Sequence, residues 1–356
     1  MESNNILKNE IIKIDNIQLK RKNKIEGIIF ARSCCSIGIV IFHYFCHSNG
    51  TFKFLYRTAN TSFGFLFVIS FFCISGTVLF HNYPKTNSIK VFYFKRWKSI
   101  FPSFYLCYLY FYLRNIFRYK KQIFKWTLLK FFITFFGLDG YLSHIMKTCY
   151  LVGEWFLGAL IIIYLLYPLL SFIFNYSEFL FCLILLILNF FMYKTNLLIY
   201  GRTINLITCL TNFSFGILAI KYNKIFLNNI KALNASLFLF ILLCFMKFPS
   251  ILILSQIQGF ALFIFLVNLG RYIMICRFNK LFIELGNLSY SIFLYQHQII
   301  RDILSVKNPY QWYFHLILLL LTIVLIIICS KIHLMVVYSI FKSYTFNKIE
   351  SLFIFN

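Results

Sequence analysis

The amino-acid sequence predicts an all-α integral membrane protein, a bundle of about ten transmembrane helices with both termini on the cytoplasmic side. Three observations predict it. Of 356 residues, 60% are hydrophobic and only 13% charged, and a mean hydropathy of +0.77 leaves too little polar surface for a water-soluble globule. The apolar residues fall into long runs of membrane-spanning length. The 35 Lys and Arg against 10 Asp and Glu, a net charge of +25, are interrupted by those runs and so read as loop charges rather than as a nucleic-acid surface. Disorder is excluded as well, because 47 Phe and 24 Tyr carry more apolar surface than an unfolded chain would bear.

Taken in order, residues 1–26 form a polar, lysine-rich tail. It is too long and too charged for the first region of a signal peptide, and no small-residue cleavage site follows the next apolar run, so that run stays as an anchor. A hydrocarbon core about 30 Å thick needs roughly 20 apolar residues as helix, with every backbone polar group satisfied internally. The runs that meet this are 27–46, 62–80, 99–113, 151–174, 179–193, 204–220, 233–248, 250–270, 281–300 and 313–330. Residues 127–138 (TLLKFFITFFGL) are too short to cross upright and read as a re-entrant or interfacial segment. Residues 27–337 thus form one transmembrane domain without internal repeats, and 338–356 a cytoplasmic tail.

Cytoplasmic loops carry the excess of Lys and Arg, which sets the orientation. With the N-terminus inside, the cytoplasmic segments hold 20 bases and the external ones 14, of which seven lie in 114–147. That external stretch works against the assignment, unless its bases meet lipid head groups or an anionic substrate. Nine of the 11 Cys, from Cys34 to Cys329, lie in apolar stretches at no metal-ligand spacing and read as small buried hydrophobes.

Ionisable side chains within a span are costly, by about 2.5–3.5 kcal/mol for a central Arg or Lys, and each one raises a functional hypothesis. In RSCCSIGIVIFH, Arg32 and His43 are eleven helical steps apart, which brings them to one azimuth roughly 16 Å apart. Arg32 lies about a turn above the cytoplasmic boundary and His43 towards the external leaflet. Two readings stand: an anion-binding guanidinium with an imidazole base, or a snorkelling Arg with a His bonded to a neighbouring helix. The segment YFKRWKSIFPS clusters Lys95, Arg96 and Lys98 ahead of Pro102, either to neutralise a phosphorylated ligand or as ordinary positive-inside anchoring. Glu154 and Trp155 open a span at the external interface, where Trp commonly anchors and a carboxylate can be solvated. LGNLSYSIFLYQH places Ser289, Tyr290 and His297 on a span, with Tyr290 and His297 two turns apart on one face. Ser75-Gly76 in FFCISGTVLF reads first as a close helix contact, because no base or nucleophile elbow accompanies Ser75. There is no Walker loop, GxGxxG, HExxH or CxxC, and no metal site is expected.

Together these segments resemble membrane acyltransferase family 3, ten-helix proteins that O-acylate cell-surface and secreted glycans. The resemblance covers about residues 27 to 335 and rests on five segments in the family's order. They are the Arg32–His43 pair, FFCISGTVL, KRWKSIFP, EWFLGALIIIYLLYP and LGNLSYSIFLYQH. One departure lies in KRWKSIFP: the family's second Arg is Ser99 here, with Arg96 in the first position and Lys95 and Lys98 nearby as point charges.

The resemblance implies an acyl-CoA donor, usually acetyl-CoA, arriving from the cytoplasm and contacted by Arg32, Lys95, Arg96 and Lys98. It implies His43 as general base or transient acyl carrier. Glu154, Trp155, Ser289, Tyr290, His297 and Ser75 are then candidates for acceptor binding or support. The implied partners are membrane lipids, the acyl-CoA and a glycan acceptor, with no bound cofactor and no nucleic acid, in the plasma membrane (a bacterial inner membrane). A competing reading is a carrier or exporter of a polysaccharide or lipid-linked sugar. Carriers commonly show helices broken by Gly or Pro at mid-span in two matching halves, a pattern not visible here.

Overall fold

The computed structural model describes residues 27–48, 57–59, 61–119, 127–195, 204–246, 251–274, 279–305 and 312–341. The N-terminal tail lies outside the described residues, as does the C-terminal tail beyond 341. Among the described residues every regular element is an α-helix. In chain order they are α1 (Gly27–His47), α2 (Phe63–Asn82), α3 (Ile89–Tyr119), α4 (Leu128–Phe135), α5 (Asp139–Leu142), α6 (Glu154–Tyr176) and α7 (Glu178–Thr195). There follow α8 (Leu206–Lys221), α9 (Asn223–Phe226), α10 (Ile230–Phe245), α11 (Ile251–Ile273), α12 (Asn279–Leu304) and α13 (Trp312–Phe341).

Each of the ten apolar runs is helical over most of its described residues, but length and composition qualify five helices among them to cross a membrane: α1, α2, α6, α11 and α13. The others fall short for identifiable reasons. α8 and α10 are apolar helices of 16 residues each, and in α7 the apolar stretch among the described residues is the shorter Glu178–Met192. The apolar half of α3 is rich in tyrosine, with Tyr105, Tyr108, Tyr110 and Tyr112. α12 carries Ser289, Ser291, Gln296, His297 and Gln298 in its middle.

α3 also begins ten residues before the apolar run of 99–113, so that Lys90, Lys95, Arg96 and Lys98 are helical rather than in a loop. Lys and Arg are good helix formers, and hydropathy alone gives no sign of where such a helix starts. Pro102 lies inside α3, where it removes one backbone donor. The segment 127–138 contains only the eight-residue helix α4, capped by the Thr127 side chain, which accepts from the Lys130 N–H. At about 12 Å it is too short to cross. Its Phe131, Phe132 and Phe135 are exposed while Ile133 and Thr134 are buried, an amphipathic layout that suits an interface. Gly137 (φ 67) then turns the chain into α5. There burial pushes the Asp139 carboxyl up to about 6, partly offset by the Thr134 hydroxyl that donates to it at 3.0 Å.

Glycines set the closest helix contacts. Gly38 of α1 sits under the Phe67 ring of α2 and Gly64 of α2 under the Phe42 ring of α1, so these helices run antiparallel. On α2 and α8, the Cys73 thiol donates to the Asn212 carbonyl and the Thr77 hydroxyl to the Gly216 carbonyl, a constant offset that makes this pair parallel. A Cβ on Gly76 would stand 2.0 Å from the Phe213 carbonyl oxygen, and one on Gly216 2.0 Å from that of Cys73. This is the small-residue packing that Ser75-Gly76 suggests. Gly76→Ala is expected to lower stability by about 1–3 kcal/mol, because backbone must move apart to admit the methyl. The thermal midpoint of purified protein in detergent reads it; an unchanged midpoint would show that the helices separate freely.

The bundle is graded from centre to edge. In their most apolar windows α2 and α11 are each 61% buried by protein, whereas α13 is 28% buried and presents Leu320, Leu321 and Ile328 outward. An apolar, outward-facing helix suits lipid contact. The basic stretch 114–147 finds a partial account here. Arg114 and Arg118 both pair with Asp302 at the end of α12, so one carboxylate offsets part of the charge of two of its seven bases. Lys120, Lys121 and Lys125 lie outside the described residues.

Candidate active site

The packing of α1 against α2 and α12 fixes the site. Along α1, Ser33 and Ser36 satisfy their hydroxyls on the Phe30 and Ser33 carbonyls of their own helix, and Ala31, Cys35 and Val40 are fully buried. Arg32 and His43 are left to face a single cavity of about 630 Å³, which both side chains line. That volume falls within the range of small-molecule sites, about 300–1,000 Å³. The two residues are eleven apart on one helix and hence about 16 Å apart along its axis.

The cavity follows α2 for its whole length. Ser62 caps the start of that helix and Asn82 ends it, and both line the cavity. Twenty helical residues span about 30 Å, comparable to the hydrocarbon thickness. One end holds Arg32, Ser75, Tyr164, Arg96, Ser99 and Asn82; the other holds His43, Thr61, Ser62 and Ile204. Between them the walls are largely apolar, with Val68, Phe71, Ile74, Phe156 and Phe293. Such walls exclude water and strengthen the electrostatic interactions of any polar group within.

At the basic end, helices distant in sequence converge. The Arg96 guanidinium lies 5.3 Å from the centre of the Tyr83 ring, and its Nε is buried without a hydrogen-bond partner. Tyr164 of α6 is close enough to interact with Arg32, Arg96 and Ser75. Two guanidiniums and a tyrosine hydroxyl therefore surround a space with no carboxylate among its described lining residues. Such an arrangement suits an anionic or strongly polarised ligand group.

Of the residues singled out in the sequence, Arg32, His43, Ser75, Arg96, Trp155, Ser289 and Tyr290 line this one cavity. The Tyr290 hydroxyl donates to the Ile100 carbonyl at 3.2 Å, tying α12 to α3. Lys95 and Lys98 are not among the lining residues; Lys95 is exposed, with its ammonium 6.0 Å from the Tyr83 ring. Ser99, the departure from the family's basic segment, lines the cavity beside Arg96 but spends its hydroxyl on the Arg96 carbonyl. His297 stands behind His43, with ring centres 4.1 Å apart. Glu154 begins α6, and its side chain lies outside what the structure describes. Tyr164 was not singled out, although it belongs to the quoted EWFLGALIIIYLLYP segment; a tyrosine in an apolar helix carries no sign of its role until its neighbours are known.

Several apolar helices around a deep, basic, water-excluding chamber define a multi-pass integral membrane protein built to handle a ligand within its own bundle. The family model described as an acyltransferase domain, that of the acyltransferase 3 family, matches residues 25–331, and the chain belongs to that family. It is a membrane acyltransferase. No curated protein and no solved structure matches it.

Proposed function

We propose that the protein transfers an acyl group, acetyl from acetyl-CoA, onto a hydroxyl of a cell-surface or exported glycan across the plasma membrane of a bacterium. In this reading ten helices cross, both termini are cytoplasmic, and the Arg32–Arg96 end of the cavity faces the cytoplasm. The observation that carries it is the shared cavity: a guanidinium and an imidazole lie on one helix face and line the same space.

Arg32 and Arg96 hold the negative part of the donor, with Tyr164 orienting them, while Lys95 and Lys98 supply point charges at the entrance. The acyl thioester reaches along the apolar walls to His43. His43, as a neutral imidazole, takes the proton of the acceptor hydroxyl as its oxygen attacks the thioester carbonyl. The carbon–sulfur bond then breaks, and the leaving thiolate takes the proton from the imidazolium. The ester and free CoA are the products, and His43 returns neutral. Trp155 lines the acceptor's side of the chamber, while Ser289 and Tyr290 line it nearer the Arg32 end, where the Tyr290 hydroxyl meets the Ile100 carbonyl; Glu154, next to Trp155 in the chain, is proposed to support the acceptor.

Mass spectrometry of surface glycans from cells with and without the gene tests this reading. The expected result is a loss of one acyl mass per modified sugar on unchanged chain lengths at the surface. Polymer trapped inside the cell, with its ester content intact, would contradict it and favour a carrier.

A further inference from the structure

Three imidazoles gather at the C-terminal end of α1. His43 and His47 are four residues apart and so share one helix face, and α12 brings His297 onto them. A donor nitrogen from each ring lies within 4.8 Å of the other two. The ring centres of His47 lie 6.5 Å from His43 and 6.1 Å from His297. We propose that His43, His47 and His297 form a binding site for a divalent transition-metal ion of the zinc class, at the end of the acceptor chamber where His43 lines the cavity.

Three physical features support it. Imidazole nitrogens at about 2.0–2.1 Å around a tetrahedral ion stand about 3.4 Å apart, so rotation of the rings by an ångström or so closes the site. An all-imidazole set selects zinc, copper or nickel over magnesium and calcium, which take oxygen ligands. His47 is the last residue of α1, and the negative end of the helix dipole favours a cation there. With no HExxH or CxxC the sequence predicts no metal; two of these ligands lie on one helix and the third some 250 positions further along the chain.

The ion would use a lone pair of His43 that the proposed base needs, so occupancy is expected to suppress acyl transfer. That consequence rests on the reading of His43 as base; the binding itself does not. The test is isothermal titration of Zn²⁺, and Co²⁺ visible absorption, on the full-length purified protein in detergent, compared with His47→Ala. Wild type is expected to bind one equivalent with a tetrahedral Co²⁺ spectrum, and His47→Ala to bind at least tenfold more weakly. Loss of the single stoichiometric site in wild type, or equal affinity in His47→Ala, overturns the proposal. With transfer measured in parallel, zinc should inhibit wild type and spare His47→Ala. His47-dependent binding that leaves turnover untouched would support the metal site and overturn the base role of His43.

Discussion

His43→Ala is expected to lose about 10²–10⁴-fold in acyl transfer, the contribution of a positioned general base. The loss should fall on kcat. Donor affinity is set at the other end of the chamber, about 16 Å away along α1, and the substitution removes no group from that end. Purified variant reconstituted into liposomes separates the two: turnover with saturating acyl-CoA should collapse, while the donor KM stays near wild type. His43 is part-exposed to the cavity rather than buried in the core, so the variant should keep its thermal midpoint. A variant that acylates at the wild-type rate would remove His43 from the chemistry.

The second large effect is expected at the basic end. Arg32→Lys keeps the charge but loses the planar fork that binds a phosphate or carboxylate through two parallel hydrogen bonds. A hydrogen bond to a charged group contributes about 1.5–3 kcal/mol, and each 1.4 kcal/mol is tenfold, so the donor KM should rise by about tenfold or more. This loss should appear in KM with kcat little changed, the opposite of the His43 pattern. Titration of acyl-CoA in the same liposomes reads it, and equal donor affinity in Arg32→Lys would exclude the guanidinium contact. Arg96 has a buried Nε with no partner in the structure, so it too presents unused donor capacity at this end.

What the sequence discloses here divides along a physical line. Features contained within one helix are legible, because 3.6-residue periodicity fixes azimuth without any tertiary knowledge. Arg32 and His43 are of that kind, and so is the Ser75-Gly76 contact face. The eight-residue α4 is legible for a similar reason, since its length alone forbids a crossing. Features made by convergence are not. Tyr164 acquires meaning only when α6 brings it between Arg32 on α1 and Arg96 on α3, and the partner of Arg114 and Arg118 is an aspartate on α12. His297 likewise joins His43 and His47 only through the packing of α12 on α1. The start of α3 was hidden because hydropathy marks where a helix becomes apolar and not where it becomes helical. Length and composition mark a crossing only where an apolar run is long and unbroken; α8 and α10 are short, and α12 carries polar side chains in its middle.

The central claim is that one chamber joins a donor site on one face of the membrane to an acceptor site on the other, with Arg32 near the first and His43 near the second. The most direct measurement uses sealed liposomes carrying the purified protein, with acyl-labelled CoA confined to one side and a glycan acceptor to the other. Ester label should appear on the acceptor across the bilayer, through protein molecules oriented with the Arg32 end towards the donor, and should vanish with His43→Ala. Label that appears only when donor and acceptor share one side would contradict a chamber that spans the membrane.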